Sequence, residues 1–201
     1  MLYPAELRAP AGPIRAPVLG VMANPVNRMA PVPKSRMLRL SNLAHICGIR
    51  PMPELFTELV SEATEAAFLE MVRAMGDEDG HPVDAGGEAA VAALAKEDPF
   101  ARAWLLRDAA TGPVLGYVVM TLGFSIEYGG RDAFIDELYI VPSARGQGIG
   151  TAVLEFAVEE ARKLGVKALH LGVMRGNDRA RELYRRNGYT PVGYDLMNKW
   201  L

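Results

Sequence analysis

The stretch 141–154, V-P-S-A-R-G-Q-G-I-G-T-A-V-L, decides the fold of this chain. An apolar strand runs into a glycine-rich turn, and that turn opens directly into a helix. Arg145, Gly148 and Gly150 form an R-x-x-G-x-G arrangement. Glycines let backbone N–H groups converge on an anion at a helix N-terminus, where the aligned peptide dipoles also favour phosphate. The stretch therefore predicts a binding site for a pyrophosphate group.

Three classes of cofactor can be bound by a loop of this kind. A dinucleotide fold requires G-x-G-x-x-G. Counting from Gly146, the position of the third glycine is occupied by Thr151. An NTPase P-loop requires a lysine before its serine or threonine, and no lysine follows Gly150. Coenzyme A is the third class, for which R-x-x-G-x-G after a strand is a familiar signature. A tight strand-to-helix connection without a ligand explains the loop alone equally well, so the rest of the sequence has to decide.

Length and composition limit the class of protein. The 201 residues are enough for one well-buried domain, and half of them are hydrophobic. No apolar run is long enough for a membrane helix, so we expect no membrane partner. Cys47 is the only cysteine, which excludes an internal disulfide and a cysteine metal cluster. The three histidines are scattered, so we expect no metal site and a reducing, cytoplasmic setting.

Proline and charge divide the chain into two parts. Residues 1–36 hold seven of the fourteen prolines and a net charge of +4, whereas the remainder carries a net charge of −6. We predict that residues 1–36 are a disordered tail, or that translation starts later at Met22, Met29 or Met37, and that residues 37–201 form the domain. The acidic domain favours a small cationic ligand and argues against a nucleic-acid partner.

Hydrophobic periodicity predicts a mixed α/β fold of the order β-α-α-β-β-β-α-β-α-β. The sheet is expected to be mixed, with helices on both faces. The predicted strands are 46–50, 103–107, 114–124, 134–141 and 168–174, with the last strands in 189–201. The predicted helices are 54–75, 88–96, a helix opening at Gly148 and ending at Gly165, and a helix capped by Asn177 or Asp178 and closed by Gly188. Residues 76–87 are predicted to form a loop.

This order, with R-x-x-G-x-G after the fourth strand, resembles the GNAT superfamily of acyl-CoA-dependent N-acyltransferases. The likeness covers residues 46–201, and three further pieces carry it: G-Y-V-V-M at 116–120, D-E-L-Y-I-V-P at 136–142 and A-R-E-L-Y-R-R-N-G-Y at 180–189. The resemblance implies a single GNAT-like domain whose mostly antiparallel sheet is splayed between the fourth and fifth strands. It also implies acetyl-CoA as acyl donor and a metal-free reaction.

A splayed sheet would leave backbone groups of residues 138–141 without a partner strand, and the amides of a pantetheine arm could satisfy them. One N–H, from Ile140, would then polarise the thioester carbonyl. Asn177 matches a position that contacts the CoA arm in the family, and it serves equally well as a helix cap. The expected cofactor contacts are Leu138, Tyr139, Ile140, Val141, Arg145, Gly146, Gln147, Gly148, Ile149, Gly150, Thr151, Asn177 and Tyr184.

Acyl transfer to an amine needs a base and an acid. An amine with a pKa of about 10.4 is mostly protonated near neutrality and cannot attack. No Ser-His-Asp or Cys-His set is evident, so direct attack in a ternary complex is expected. Tyr184 matches the family's thiolate acid, although a packed core aromatic would look the same in the sequence.

Two adjacent carboxylates, Asp136 and Glu137, lie in an otherwise apolar strand, where an unpaired carboxylate is costly. Strand alternation places Glu137 on the face of Tyr139, and Asp136 on the opposite face with Leu138. We favour Glu137 as the base and Asp136 as an amine-binding or structural carboxylate. A buried salt bridge with Arg131 or Arg50 is the alternative for the pair.

The acceptor pocket is expected to include Glu127 and Tyr128, because the hairpin before the fourth strand commonly lines it in this family; a hydrated turn is the alternative. The resulting hypothesis is that the protein is an acetyl-CoA-dependent N-acetyltransferase acting on the primary amine of a small molecule. A homodimer is a possible assembly. Acetylation of protein N-termini or lysines is the alternative within the family. A non-catalytic acyl-CoA-binding regulatory domain is the alternative of another class.

Overall fold

A six-stranded sheet forms the centre of the fold, with its strands in chain order from β1 to β6. The computed structural model describes residues 35–38, 55–193 and 195–199. Neighbouring strands are antiparallel except β5 and β6, which are parallel. The predicted mixed, mostly antiparallel α/β sheet is therefore confirmed. The strands are β1 (Ser35–Leu38), β2 (Leu55–Leu59), β3 (Ala101–Arg107), β4 (Val114–Ser125), β5 (Gly130–Ile140) and β6 (Ala168–Leu171).

Within the residues described, four α-helices cover both faces of this sheet, as predicted. They are α1 (Glu65–Asp79), α2 (Ala85–Ala95), α3 (Ile149–Lys163) and α4 (Asp178–Arg186). One apolar cluster joins α3 to the sheet, and Trp104 packs edge-on against Phe156 there at 5.3 Å between ring centroids. A second cluster joins α1 and α2 to the opposite face, where Phe68 packs edge-on against Tyr117 at 5.2 Å. In the described part of the chain, no helix has the length and apolarity to cross a bilayer.

The prediction of one helix over 54–75 is wrong. Residues Leu55–Leu59 form β2 and pair with β3, with Leu55 and Thr57 both buried. Helix α1 begins only at Glu65 and continues to Asp79, where Gly80 ends it in the left-handed region at φ 73°. The apolar residues of this segment fit a helical period as well as a strand, and pairing with β3 settles the choice.

The loop predicted at 76–87 contains the ends of two helices instead. Helix α2 begins at Ala85 rather than Glu88, because the side chain of Asp84 accepts a hydrogen bond of 2.9 Å from the Gly87 amide. This N-cap satisfies a backbone donor that would otherwise lack a partner, and it outweighs the low helix propensity of the two glycines that follow.

The C-terminal region also differs from the prediction. No strand occurs among the described residues after α4, where Leu196 and Met197 are largely exposed. Strand β6 ends at Leu171 instead of residue 174. The first predicted strand, 46–50, lies outside the described residues. So does the predicted tail at 1–36, except for Ser35 and Arg36, which belong to β1.

Candidate active site

The two parallel strands separate halfway along β5. They are paired from Asp132 with Ala168 to Ile135 with Leu171, and β5 then continues to Ile140 without β6 beside it. A cleft of about 1080 Å³ lies at this separation, lined by β5, by the turn before α3 and by α4. The predicted splay is thus present: the fourth and fifth strands of the sequence-based order are β5 and β6. The splay places backbone groups of β5 along the cleft.

The glycine-rich turn is shaped by backbone angles that other residues rarely adopt. Gly146 has φ 80° and Gly148 has φ 88°, and α3 begins at Ile149 with no side chain capping its first turn. A Cβ at Gly150 would lie 2.8 Å from Leu183 of α4. Free amides at a helix N-terminus beside such a turn suit an anion, so the residues fit a diphosphate.

Arg145 is engaged elsewhere in the structure. Its guanidinium donates two hydrogen bonds to the Glu78 carboxylate, at 2.6 and 2.7 Å, and Nε donates to the Ile140 carbonyl at 2.7 Å. It also lies over the Tyr139 ring, 5.6 Å from the centroid. The hydrogen bonds from Arg145 lower the pKa of Glu78, so this pair is ionised near neutrality. Glu78 belongs to α1, and sequence spacing gave no sign of this contact.

A second arginine, which was not predicted from the sequence, also lies near the glycine-rich turn. Arg179 of α4 places a guanidinium nitrogen 3.8 Å from the position of a Cβ on Gly146. Arg179 lines the cleft together with Arg175 and Arg186. The signal was present, since three arginines surround the predicted cap residue Asn177, but arginines of a polar helix usually face water.

The other predicted donor residues divide into two groups. Asn177 lines the cleft and caps α4, because its side chain accepts a hydrogen bond of 3.0 Å from the Ala180 amide. Three predicted contacts are absent from the cleft lining: Val141, Gln147 and Ile149. Ile149 is buried in the core with α3, and the Gln147 side chain donates to the Ser143 carbonyl at 3.0 Å. The remaining predicted contacts line the cleft: Leu138, Tyr139, Ile140, Arg145, Gly146, Gly148, Gly150, Thr151 and Tyr184.

A bulge in β5 separates the two carboxylates. In the register with β4, Glu137 is opposite Val119 and Ile135 is opposite Met120, so Asp136 has no partner. The prediction that Asp136 shares a face with Leu138 by simple alternation is therefore wrong, because the bulge shifts the alternation at this point. Asp136 is exposed at the cleft, whereas Glu137 is half-buried on the α1 side of the sheet.

Glu137 is held by a buried tyrosine. The Tyr117 hydroxyl donates to Glu137 Oε2 at 2.7 Å, and Tyr117 is fully buried. Burial raises the pKa of the Glu137 carboxyl above its usual value, with a smaller increase from Asp136, while the hydrogen bond from Tyr117 opposes the rise. The alternative salt bridge with Arg131 is not formed, since that guanidinium donates to the Leu164 carbonyl at 3.3 Å. Arg50 lies outside the described residues.

Tyr184 lies on the opposite side of the cleft. It is half-buried on α4, where its ring packs against Tyr189 at 6.1 Å between centroids. Burial raises the pKa of the Tyr184 hydroxyl, so the hydroxyl keeps its proton near neutrality. A protonated hydroxyl that lines the cleft is suited to donate a proton there.

The structure does not bring Glu127 and Tyr128 into this cleft. Both lie in the turn between β4 and β5, at the opposite end of β5 from Ile140. Tyr128 packs instead against His170 of β6, at 4.9 Å between ring centroids. The turn in this chain extends away from the separated ends of β5 and β6, and the cleft receives acidic residues from α1 and β5 instead.

Four carboxylates of α1 and β5 line the α1 side of the cleft: Glu78, Asp79, Asp136 and Glu137. One of them, Glu78, is neutralised by Arg145. In the described ranges, no group of three or more histidine, cysteine, aspartate or glutamate side chains could hold a metal ion. The arginines make the cleft cationic near the glycine-rich turn and α4, and the carboxylates make it acidic near the end of α1.

Known proteins with similar sequences match a part of this chain. The chain is 36% identical over 78 residues to a bovine (Bos taurus) thialysine N-epsilon-acetyltransferase, covering 38% of this chain and 45% of that protein. It is 33% identical over 78 residues to an aminoalkylphosphonate N-acetyltransferase of Salmonella typhimurium, covering 39% of this chain and 51% of that protein. The chain thus spans about half the length of these relatives.

Solved structures match over more of the chain. An integron cassette protein from a salt-marsh metagenome is 29% identical and superposes with a TM-score of 0.63, covering 72% of this chain and 90% of that one. AAC(6')-Iy, solved with a bisubstrate CoA analogue, is only 12% identical, with a TM-score of 0.61 over 73% of this chain and 98% of that one. This second likeness shows the fold alone. The model of the Acetyltransferase (GNAT) family matches residues 57–189, and the chain belongs to that family.

Proposed function

We propose that this protein is an acetyl-CoA-dependent N-acetyltransferase that acetylates the primary amine of a small cationic molecule by direct attack in a ternary complex. One observation carries the proposal: a half-buried carboxyl, Glu137, and a protonated phenol, Tyr184, line the same cleft as the glycine-rich turn. This arrangement provides a proton acceptor and a proton donor near an anion site, as the reaction requires.

Bound acetyl-CoA would supply an acetyl group already activated as a thioester. We assign its diphosphate to the amides from Gly146 to Gly150 and to the guanidinium of Arg179. Backbone groups of Leu138 and Ile140 would hold the pantetheine arm, because β6 no longer pairs with β5 on that side. Asn177 and Thr151 would complete this side of the site.

Glu137 is assigned as the general base. Its raised pKa brings the carboxyl closer to the pKa of the ammonium group that has to lose a proton, which makes the transfer less unfavourable. The free amine then attacks the thioester carbonyl, so that a C–N bond forms and the C–S bond breaks. Tyr184 donates its proton to the leaving sulfur, and the second proton of the amine nitrogen passes through water to the tyrosinate. Glu137 releases the first proton to solvent, so that both side chains return to their starting state.

The acceptor class follows from charge. The carboxylates of Asp79 and Asp136 face the cleft beside Glu137 and would attract a cationic amine. The relatives named for thialysine and aminoalkylphosphonate acetylation support a small-molecule amine. We assign Asp136 as the residue that binds the ammonium group, because it is exposed at the bulge next to the base.

An acceptor screen tests this function. Purified protein is incubated with acetyl-CoA and with diamines, amino acids, aminoalkylphosphonates or peptides, and free thiol release is measured. Turnover with small amines supports the proposal, and turnover confined to peptide N-termini or lysines would establish the protein-modifying alternative. Binding of CoA without turnover on any acceptor would indicate a regulatory domain.

We further propose a cytoplasmic protein, since the single cysteine, Cys47, fits a reducing compartment. Cell fractionation tests this location. We also retain the homodimer as a proposal, and light scattering of the purified protein at several concentrations tests it.

A further inference from the structure

Tyr117 is a fully buried tyrosine whose hydroxyl points toward the proposed base. It lies on β4 opposite Tyr139 of β5, between the sheet and α1. Its ring packs edge-on against Phe68 at 5.2 Å, and lies 6.1 Å from the Tyr139 ring. These contacts fix the position of the hydroxyl, because the side chain has no room for another rotamer in a packed core.

The single proton of this hydroxyl has two acceptors within reach. The oxygen of Tyr117 lies 2.7 Å from Glu137 Oε2 and 3.1 Å from Met75 Sδ. An ionised carboxylate accepts a hydrogen bond much more strongly than a thioether, so the proton is donated to Glu137. Burial also raises the pKa of Tyr117, which keeps the hydroxyl protonated.

We propose that Tyr117 is a positioning residue for the base, and this inference rests on the proposed function. The Tyr117 hydroxyl holds Glu137 Oε2 and thereby leaves Oε1 to meet the amine or an intervening water in the cleft. Among the described residues, none donates a hydrogen bond to Oε1. Without the tyrosine, the carboxyl would rotate and would lose its only fixed orientation.

The surroundings of Glu137 give the sign of the pH effect. Asp136 raises the carboxyl pKa and the Tyr117 hydrogen bond lowers it. The other titratable groups around Tyr117 are Asp79 on α1 and the uncharged Tyr139 on β5. Glu78 and Arg145 lie beside Tyr139 and neutralise each other. Removing the Tyr117 hydroxyl therefore raises the Glu137 pKa, and a larger fraction of the base is protonated at any given acid pH.

Tyr117→Phe tests the proposal in wild-type and Glu137→Gln backgrounds. In the wild-type background we expect kcat at neutral pH to fall about tenfold, and the acid limb of the kcat/KM profile to move to higher pH. In the Glu137→Gln background the same change should have no further effect on kcat, because the two residues act through one carboxyl. Met75→Leu is the matched control, since it removes the second acceptor and leaves the tyrosine–glutamate contact.

A readout independent of turnover separates this inference from the proposed function. The Glu137 carboxyl is titrated by carbon-13 NMR in the wild type and in Tyr117→Phe. A higher carboxyl pKa in the variant supports the inference, even if the wild type acetylates none of the amines tested. An unchanged carboxyl pKa, or an equal loss of kcat in both backgrounds, overturns it and assigns Tyr117 to packing alone.

Discussion

The carboxylate of Glu78 and the guanidinium of Arg145 form a bidentate pair that connects the end of α1 to the turn before α3. The pair is partly exposed, with 41% of the Glu78 side chain and 30% of the Arg145 side chain accessible. A pair this exposed contributes little to stability, of the order of 1 kcal/mol or less. Its larger effect is to hold the motif arginine against an acid instead of leaving it free for phosphate.

Glu78→Gln should therefore strengthen the binding of CoA. The change removes a negative charge from the cleft and releases Arg145, so we expect the Kd to fall severalfold at low salt and less at high salt. Isothermal titration calorimetry at low and at high salt measures the two Kd values. Glu88→Gln is the control, because Glu88 pairs with Arg73 between α1 and α2, outside the cleft lining. Weaker binding in Glu78→Gln would instead show that the pair supports the site as it stands.

Arg179→Gln should weaken CoA binding. Its guanidinium lies beside Gly146, and loss of a charged contact to a phosphate is expected to raise the Kd about tenfold. Arg181→Gln is the matched control, since Arg181 on the same helix pairs with Asp178 at 2.7 Å and is absent from the cleft lining. Equal effects of the two changes would argue for general charge attraction in place of a specific contact.

Glu137→Gln should lower kcat by at least about 10²-fold while the folded protein becomes more stable at neutral pH. Burial raises the carboxyl pKa in the folded state, so the unfolded chain ionises more readily. Stability is therefore lost as pH rises through the interval between the two pKa values, and glutamine removes this cost. Thermal melts of both proteins, from acid to neutral pH, should converge at the acid end. For the thermal melts alone, Asp136→Asn is the control, because Asp136 is exposed.

Tyr184→Phe should lower kcat about 10²-fold and leave the CoA Kd unchanged, because the proposed role of the hydroxyl is only to protonate the leaving thiolate. Tyr189→Phe is a closely matched control. Its ring packs against Tyr184, burial raises its pKa to about 12, and its buried hydroxyl has no hydrogen-bond partner among the described residues. Removal of an unsatisfied hydroxyl costs little or stabilises the fold. Steady-state kinetics that show equal losses in both variants would contradict the assignment of Tyr184.

Gly116→Ala should destabilise the protein by about 3 kcal/mol or more. Gly116 has φ 154°, and a Cβ there would lie 2.0 Å from the carbonyl oxygen of Tyr139, which is backbone and cannot rotate away. Urea denaturation measures the loss. Gly193→Ala is the control, since no atom lies within 4 Å of a Cβ at that position. A small loss in Gly116→Ala would mean that β4 and β5 can separate locally without cost.

The sequence predicted those parts of the fold that are encoded by local patterns. The glycine spacing from Gly146 to Gly150 requires a turn before α3, and an Asn at 177 can cap the helix that follows. The bulge at Asp136 left no such pattern, because any polar residue can occupy the unpaired position. β2 was missed because its apolar residues also fit a helix, and only pairing with β3 distinguishes the two.

The site was predictable only where its residues are close in sequence. Glu137 and Arg145 were identified through motifs, but their partners lie far along the chain. Tyr117 precedes Glu137 by twenty residues, and Glu78 precedes Arg145 by sixty-seven. Such pairs depend on how α1 and β4 pack against β5, and single-sequence spacing contains no record of that packing.

The two walls of the cleft, at the separation of β5 from β6, differ in rigidity. Helix α3 buries eight residues against the sheet, whereas α4 has none that is fully buried. Local opening costs least where few apolar contacts are lost, so α4 and the short β6 form the yielding wall. A long, narrow donor can therefore enter sideways by displacing that wall, while the proposed base, Glu137, stays fixed on β5 in the centre of the sheet.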